Sequence, residues 1–510
     1  MSLPLSIPLW LPAAAAFLGL FLPGVASRVL TILGALGTFA WAIWAIADFD
    51  RAARGLQDVT DEMWIKQLGI HYKLGVDGLN LFLIGLAAFI FLICLIWAAM
   101  KEWEHSSQLF FFLGLAESAV LGALMAQDLA LFVLFFDLML LPFLFLAGIW
   151  GPEATRVAAI TKLFIYTLVG SLLMLAAAIA TGVLVAQQTG GDVSFAFSDL
   201  TQAAAILPKG SQEWIFLCFA AAFLVKMPAF PFHGWMPDGY TNMPLPVLAV
   251  FSAVLSKVAA YGFLRVVLPI FPDASAHFQD LMLVLALGSI LYGSAMAFTT
   301  TNARLILGYS SIAQLGFIVL GVFALNGDGA QGAILQAVNH GLVVAPAFVI
   351  VAYLAERAGG SEDIRDMGGI AFRAPVLAAL FLIVTFANLA MPGSSNFVGE
   401  FLILLGVFHS KLVICVIAFT GVGMAAVYSL RLFIRTMHNR VGPEVASRDV
   451  SFREGVVLVP LVAVILFFAL YPQLALHKGE PTINRAVSAA GAISGSDKAL
   501  ATHPEITVIR

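Results

Sequence analysis

The chain has 510 residues, is 61% hydrophobic and only 11% charged, and has a mean hydropathy of +0.98. Soluble domains carry about 25% charged residues, so these figures exclude a soluble globular protein. The formal net charge of −4 gives no sign of a nucleic-acid partner, and recurrent apolar runs of about 20 residues specify spanning helices rather than barrel strands.

Hydropathy predicts an all-α polytopic membrane protein with about 14 spanning helices. The first two are expected near 4–24 and 29–48, followed by a polar loop of mixed charge at 49–76. The third and fourth lie near 78–99 and 108–126, and the fifth, 129–149, carries Asp137. The sixth, about 157–186, carries Lys162 and leads into a polar loop at 187–212. The seventh, 214–232, is broken by prolines, and the eighth, 245–272, carries Lys257 and Arg265. The ninth and tenth lie near 278–299 and 303–325, and the eleventh, 331–356, carries His340. After a charged loop at 357–373, the twelfth, about 374–409, is interrupted at Pro392 and Gly393 and carries Glu400. The last two lie near 411–437 and 453–475, and the small-residue-rich tail 476–510 is expected to be partly disordered.

This order divides the chain into 1–107 (helices 1–3), 108–272 (helices 4–8), 273–437 (helices 9–13) and 438–510 (last helix and tail). Met227–Pro228 in the seventh span is matched by Met391–Pro392 in the twelfth, five spans on. Two units of opposite orientation, each with one broken helix, are a transporter signature. Arg28, Lys101, Arg156, Arg304, Arg357, Arg365, Arg373, Arg435, Arg440, Arg448 and Arg453 fall beside loops of one face. The positive-inside rule makes that face cytoplasmic and puts both termini outside. No basic residue precedes Arg28, so no cleavable signal is expected.

The centre of the chain is FLVKMPAFPFHGWMPD, Phe223–Asp238. Lys226 sits in an apolar run, where a charge marks a functional site by default. Pro228 and Pro231 lack N–H groups and free the carbonyls of Leu224 and Met227. Asp137, the single charge in its span, must be paired or protonated, and Lys226 is its natural partner. A movable pair can hold or release the lysine's proton; a static structural pair is the alternative. Lys257 and His340 are lone ionisable groups in apolar helices and are candidates for a relay, or for a pair with an unseen acid and for hydrogen-bonded core filling. Glu400 lies just beyond the second break, near the positive end of a half-helix that should begin about Asn396.

Secondary candidates are Asp128, Lys162, His233, Asp238, Ser310, Ser311, Gln314 and Asn339, for which helix packing or snorkelling is an equal reading. The cysteines Cys94, Cys218 and Cys415 are far apart and form no iron–sulfur or zinc ligand set, so no metal is expected. No phosphate loop is present, and the GxGxxA match at Gly421 lies within a spanning helix.

Taken together these motifs resemble the antiporter-like subunits of respiratory complex I. FLVKMPAFPFHGWMPD is similar to their seventh-helix signature, FFDLMLLPFLFL to the fifth, LILGYSSIAQLGF to the tenth, and QAVNHGL with LAERAGGSEDIRDMGG to the eleventh and its loop. AMPGSSNFVGEFLIL resembles the twelfth helix of the M-type members, counterparts of mitochondrial subunit 4, which carry glutamate where Glu400 stands. The resemblance implies a 14-helix antiporter-like fold and a proton-pumping part of NADH:quinone oxidoreductase, flanked in the bilayer by two sister subunits. It implies no cofactor in this chain, with NADH, FMN, iron–sulfur clusters and quinone on other subunits. By position, Asp137 and Lys226 become a control pair, Lys257 and His340 the central relay, and Glu400 the exit. A bacterial inner membrane is the expected location.

Three departures stand out. The family usually has glutamate at Asp137, often has histidine at Gln314, and differs at GYTNMPLPVLAVFSAVLSK before Lys257. A subunit of a multi-chain cation/proton antiporter is the alternative, as is the equivalent subunit of a membrane-bound hydrogenase or an F420H2- or ferredoxin-driven relative.

Overall fold

The computed structural model describes residues 4–53, 55–446 and 448–496. Its helices are α1 (Ser6–Gly19), α2 (Gly24–Asp48), α3 (Leu81–Ala99), α4 (Ser106–Met125), α5 (Leu129–Leu138), α6 (Leu141–Trp150), α7 (Arg156–Thr189), α8 (Phe197–Ala203), α9 (Lys209–Lys226) and α10 (Met236–Asn242). There follow α11 (Leu245–Ile270), α12 (Pro272–His277), α13 (Gln279–Thr299), α14 (Ala303–Val322), α15 (Gly327–Arg357), α16 (Pro375–Asn388), α17 (Ser395–Ser410), α18 (Leu412–Met437), α19 (Phe452–Leu470) and α20 (Gln473–Ser494). Among the described residues, eleven helical segments, α5–α6 counted as one, are long and apolar enough to cross a membrane, against the 14 expected. The shorter apolar helices are α1, α16 and α17, two of which flank a break.

Burial sorts these helices into a core and a rim. The most apolar stretches of α11 and α15 are wholly buried, whereas only 28% of that of α18 is buried. The apolar side chains that α7 and α18 leave exposed, such as Val169, Leu172, Val413 and Val416, belong to a rim suited to lipid or neighbouring chains.

Four expectations are corrected. The polar loop 49–76 contains an antiparallel hairpin, β1 (Gln57–Ile65) paired with β2 (Ile70–Val76), so the fold is not purely helical. The left-handed turn at Gly69 (φ 63°) closes it, a conformation glycine adopts without steric cost. The loop 187–212 holds α8. The tail 476–510, expected to be partly disordered, is helical as far as Ser494 within α20, and its remainder, 497–510, lies outside the described residues. Helix α20 is amphipathic and lies against α11, α12 and α15. Its Lys478 donates from Nζ to the carbonyls of Ile46 (2.6 Å) and Phe49 (3.0 Å), capping the end of α2 where the helix dipole is negative.

The fourth correction is local and bears on function. The fifth span is not one helix but breaks between α5 and α6, directly after Asp137. Leu140 N–H bonds to the Asp137 carbonyl (3.2 Å) and Met139 N–H to that of Phe135 (2.9 Å), so the Phe136 carbonyl loses its helical donor.

The basic face is tied together by ion pairs. Lys101 pairs with Glu356 (3.0 Å), Arg357 with Glu454 (3.0 Å), and Arg304 with Glu362. Arg304 also donates to the carbonyls of Tyr240 (3.0 Å) and Met243 (2.7 Å), closing the end of α10.

Candidate proton-relay site

The break after α9 is built as the prolines require. Pro228 cannot donate, and the Leu224 carbonyl it leaves is taken by the N–H of Ala229 (2.9 Å). Trp235 donates from Nε1 to the Val225 carbonyl (2.9 Å). The chain then turns through Pro228–Trp235 into α10, so Lys226 ends α9 at the break.

Lys226 reaches the other break. Its Nζ lies 2.9 Å from Asp137 Oδ1 and donates to the orphaned Phe136 carbonyl at 2.5 Å. The ammonium also sits 3.8 Å from the Phe136 ring centroid, a cation–π distance. The pair is asymmetric, with the Lys226 side chain 5% exposed and that of Asp137 34% exposed. Ser171 on α7 donates to the same carboxylate oxygen at 2.5 Å. Asp137 lines a lateral apolar cleft of about 540 Å³ with Leu134, Leu141, Leu168 and Leu172. The shorter aspartate therefore closes the pair without a gap.

Lys257 lies on α11 between two turns of π-type backbone, Phe251–Leu255 and Phe263–Val267. Such turns inside α-helices frequently occur at functional sites. Its Nζ donates to the Ser252 carbonyl (2.7 Å) and to Ser256 Oγ (3.2 Å), and among the described residues no ion pair reaches it. Among the described residues the lysine has no acid partner. His340 on α15 is fully buried, finds no hydrogen-bond partner for either ring nitrogen among the described residues, and stands within electrostatic reach of Lys257. Phe132, Phe136, Phe223 and Tyr261 pack ring on ring at centroid distances of 5.3–6.4 Å, a cluster that runs from the Phe136 ring beside Lys226 to Tyr261, one turn along α11 from Lys257. A plug of this kind stops water until it moves.

Glu400 lies on the second turn of α17, after a break in which Gly393 takes φ 90°, a region that favours glycine. Gln336 on α15 donates from Nε2 to Gln314 Oε1 (2.7 Å) and to Glu400 Oε1 (3.2 Å). Asn339 donates to the Ser395 carbonyl (2.6 Å) and ties α15 to the break. Gln336 and His340 are one helical turn apart, so α15 joins the Lys257 region to Glu400.

Several predicted residues lie apart from this line. Asp128 caps α5, accepting from Ala130 N–H (2.9 Å), Leu131 N–H (3.1 Å) and His71 N–H (3.1 Å). Lys162 and Asp238 pair at 2.7 Å with both side chains exposed, the snorkelling reading. His233 stacks on Phe230 at 5.8 Å and packs with tilted rings against Tyr292 at 4.6 Å, apart from the five relay residues. Ser311 bonds to the Leu307 carbonyl of its own helix, and Ser310 to Tyr428.

Sequence reasoning missed Gln336, Ser171 and Glu117. Gln336 was findable, since it precedes Asn339 and His340 on one helical face. Glu117 on α4 is fully buried and neither carboxyl oxygen has a partner, but no broken helix or proline marks it.

Residues 126–425 match the family described as NADH:quinone oxidoreductase/Mrp antiporter, transmembrane. The chain is 35% identical over 492 residues to NADH-quinone oxidoreductase subunit M of Rhodobacter capsulatus, spanning 94% of this chain and 95% of that one. A chain of respiratory complex I from Thermus thermophilus superimposes with a TM-score of 0.85 at 30% identity, covering 95% of this chain and 99% of that one. A chain of the Mrp complex from a Dietzia species superimposes at 0.82 with 20% identity over 98% and 100% of the two, a likeness of fold alone.

Proposed function

This chain belongs to the NADH:quinone oxidoreductase/Mrp antiporter family, and on that premise we propose that it is the proton-translocating M-type membrane subunit of an NADH:quinone oxidoreductase. It is an enzyme subunit that carries protons while electrons move elsewhere. The observation that carries this reading is the Asp137–Lys226 contact at 2.9 Å, made where two helices are broken. Each break frees backbone and lets its side chain move without unwinding a whole helix.

Lys226 holds its proton while Asp137 and the Phe136 carbonyl face it. When Asp137 turns away, a buried ammonium has lost its main compensation and gives its proton up. Asp137 is open to the lateral cleft, so a charge on an adjoining chain can bias it. The aromatic plug keeps that proton from Lys257 until the rings part. Lys257, the unpartnered nitrogens of His340, the Gln336 amide and Glu400 then continue the line across α11, α15 and α17 toward an exit at Glu400. Waters would join these groups, since the side chains do not all touch.

The relatives that support this reading are named as subunits of NADH-quinone oxidoreductase. The antiporter alternative rests on the shared family description and on a likeness of fold at 20% identity. In this reading the partners are sister antiporter-like subunits on either side in the membrane arm, and no nucleic acid. NADH, FMN, iron–sulfur clusters and quinone are held by other subunits. The membrane is the bacterial inner membrane, with the basic face cytoplasmic and both termini outside.

Glu400→Gln tests the exit. The complex should assemble while coupled NADH oxidation and proton uptake into inverted vesicles fall severely. A normal proton-to-electron ratio in that variant would remove Glu400 from the path.

A further inference from the structure

A second polar line runs from beside Lys257 along α11 to the β hairpin. One turn beyond Lys257 on α11 is Tyr261, whose hydroxyl accepts from Arg265 Nε at 2.9 Å. Arg265 donates from its Nη2 to Asp77 Oδ2 at 2.5 Å. Asp77, at the end of the β hairpin, is held by Asn80 and the following turn; its Oδ1 accepts from Leu79 N–H at 3.0 Å. The two side chains of this pair are 13% and 7% exposed. They form the floor of a cavity of about 420 Å³ that opens on the face carrying the β hairpin, α8 and α20. Its lining mixes polar groups, Gln202, Thr482 and Arg485 among them, with apolar ones such as Leu56, Phe197 and Leu264. Arg265 lies within the second π-type turn of α11, and Lys257 lies two residues after the first.

We propose that the Asp77–Arg265 ion pair is the gate of an aqueous half-channel linking Lys257 to the face that carries the β hairpin, α8 and α20. The inference rests on the proton-translocating reading and adds a route that reading lacks. Side chains on a helix lean toward its N-terminal end, and Lys257 accordingly points to Ser252, away from Tyr261. That is the closed position. In the open one, the ammonium turns toward Tyr261 and Arg265 withdraws from Asp77. Lys257 then passes one proton, through water at the Tyr261 hydroxyl, to the Asp77 carboxylate. Lys257 becomes a neutral amine and Asp77 a neutral acid. Asp77 next releases that proton to the vestibule water, and Arg265 returns to the restored carboxylate. The π-type turns supply the slack, because each carries a residue beyond the ordinary i→i+4 ladder.

The test uses the whole complex in sealed vesicles of both orientations. Cys94, Cys218 and Cys415 are first replaced by serine and cysteine is placed at Thr482 or Gln202. A charged, impermeant methanethiosulfonate added from the face of the β hairpin should label these positions and lower coupled turnover about tenfold relative to the same variant before labelling. A thiol reductant should restore it. Tyr261→Phe, which removes one oxygen and keeps the ring packed on Phe132, should lower turnover by about the same factor with the complex assembled. Asp77→Glu should retain more turnover than Asp77→Asn. Complete labelling with turnover unchanged, or a Tyr261→Phe complex with normal rate and proton-to-electron ratio, overturns the half-channel. If Glu400→Gln still abolishes pumping in parallel, only this route has failed and the proton-translocating reading stands.

Discussion

The Asp137–Lys226 pair makes a quantitative prediction because its two members are buried unequally. Asp137→Asn leaves an ammonium that is 5% exposed, with the Phe136 carbonyl and ring as its remaining support. Lys226→Met leaves a carboxylate that is 34% exposed and still bonded to Ser171. Stripping one partner from a fully buried pair costs about 3–5 kcal/mol. The Phe136 contacts and the open side of Asp137 reduce this to about 2 kcal/mol, a factor of about 30. Each single variant should lower coupled turnover by roughly that factor, with Asp137→Asn the more severe. The double variant should be no worse than the worse single one, because both act on one step. The assay is NADH-driven quinone reduction with proton uptake in inverted vesicles, read as a double-mutant cycle. Losses that add to within about 0.5 kcal/mol would show that the two residues do not work as a unit.

Further outcomes follow from the same geometry. Gln336→Leu strands Glu400 Oε1 and Gln314 Oε1 without their amide donor, and should cost about tenfold in turnover with assembly intact on native gels. Lys162→Ala breaks an exposed pair worth about 0–1 kcal/mol, so turnover and thermal stability should hold; a collapse of turnover with stability intact would give Lys162 a part in the relay. Lys478→Met removes the cap on α2 and should lower the melting temperature of the complex while leaving the proton-to-electron ratio unchanged, as followed by scanning calorimetry and vesicle assays. The chain purified alone into liposomes should oxidise no NADH and bind neither flavin nor iron; stoichiometric iron or flavin would place electron chemistry in this polypeptide.

Much of the site was legible because the bilayer makes polar side chains costly. A lone lysine in FLVKMP or a lone aspartate in FFDLML must be compensated, so composition alone singles out Lys226, Asp137, Lys257, His340 and Glu400. Proline and glycine likewise mark the breaks at Pro228, Pro231, Pro392 and Gly393, since a missing N–H or a left-handed residue disrupts a helix wherever it occurs. What hydropathy misreads is structure held by distant parts of the chain. The break between α5 and α6 has Pro142 three residues on, a position that starts a helix without difficulty, so nothing local announces it. The hairpin at 57–76 and the helix α20 are polar enough to look like loop and tail, and become ordered by lying on the ends of the spanning helices.

The sequence by itself determined that the chain spans a membrane, which side chains cannot be idle there, and where two helices must break. These are consequences of solvent and covalent geometry, which act residue by residue. The tertiary structure alone decided who faces whom. It gave the Phe136 carbonyl to Lys226, left Lys257 without an acid, placed Gln336 between Gln314 and Glu400, and joined Arg265 to Asp77 across 188 residues of chain. Partners so far apart in sequence meet only when helices pack, and packing depends on the fit of whole faces, which no single residue carries.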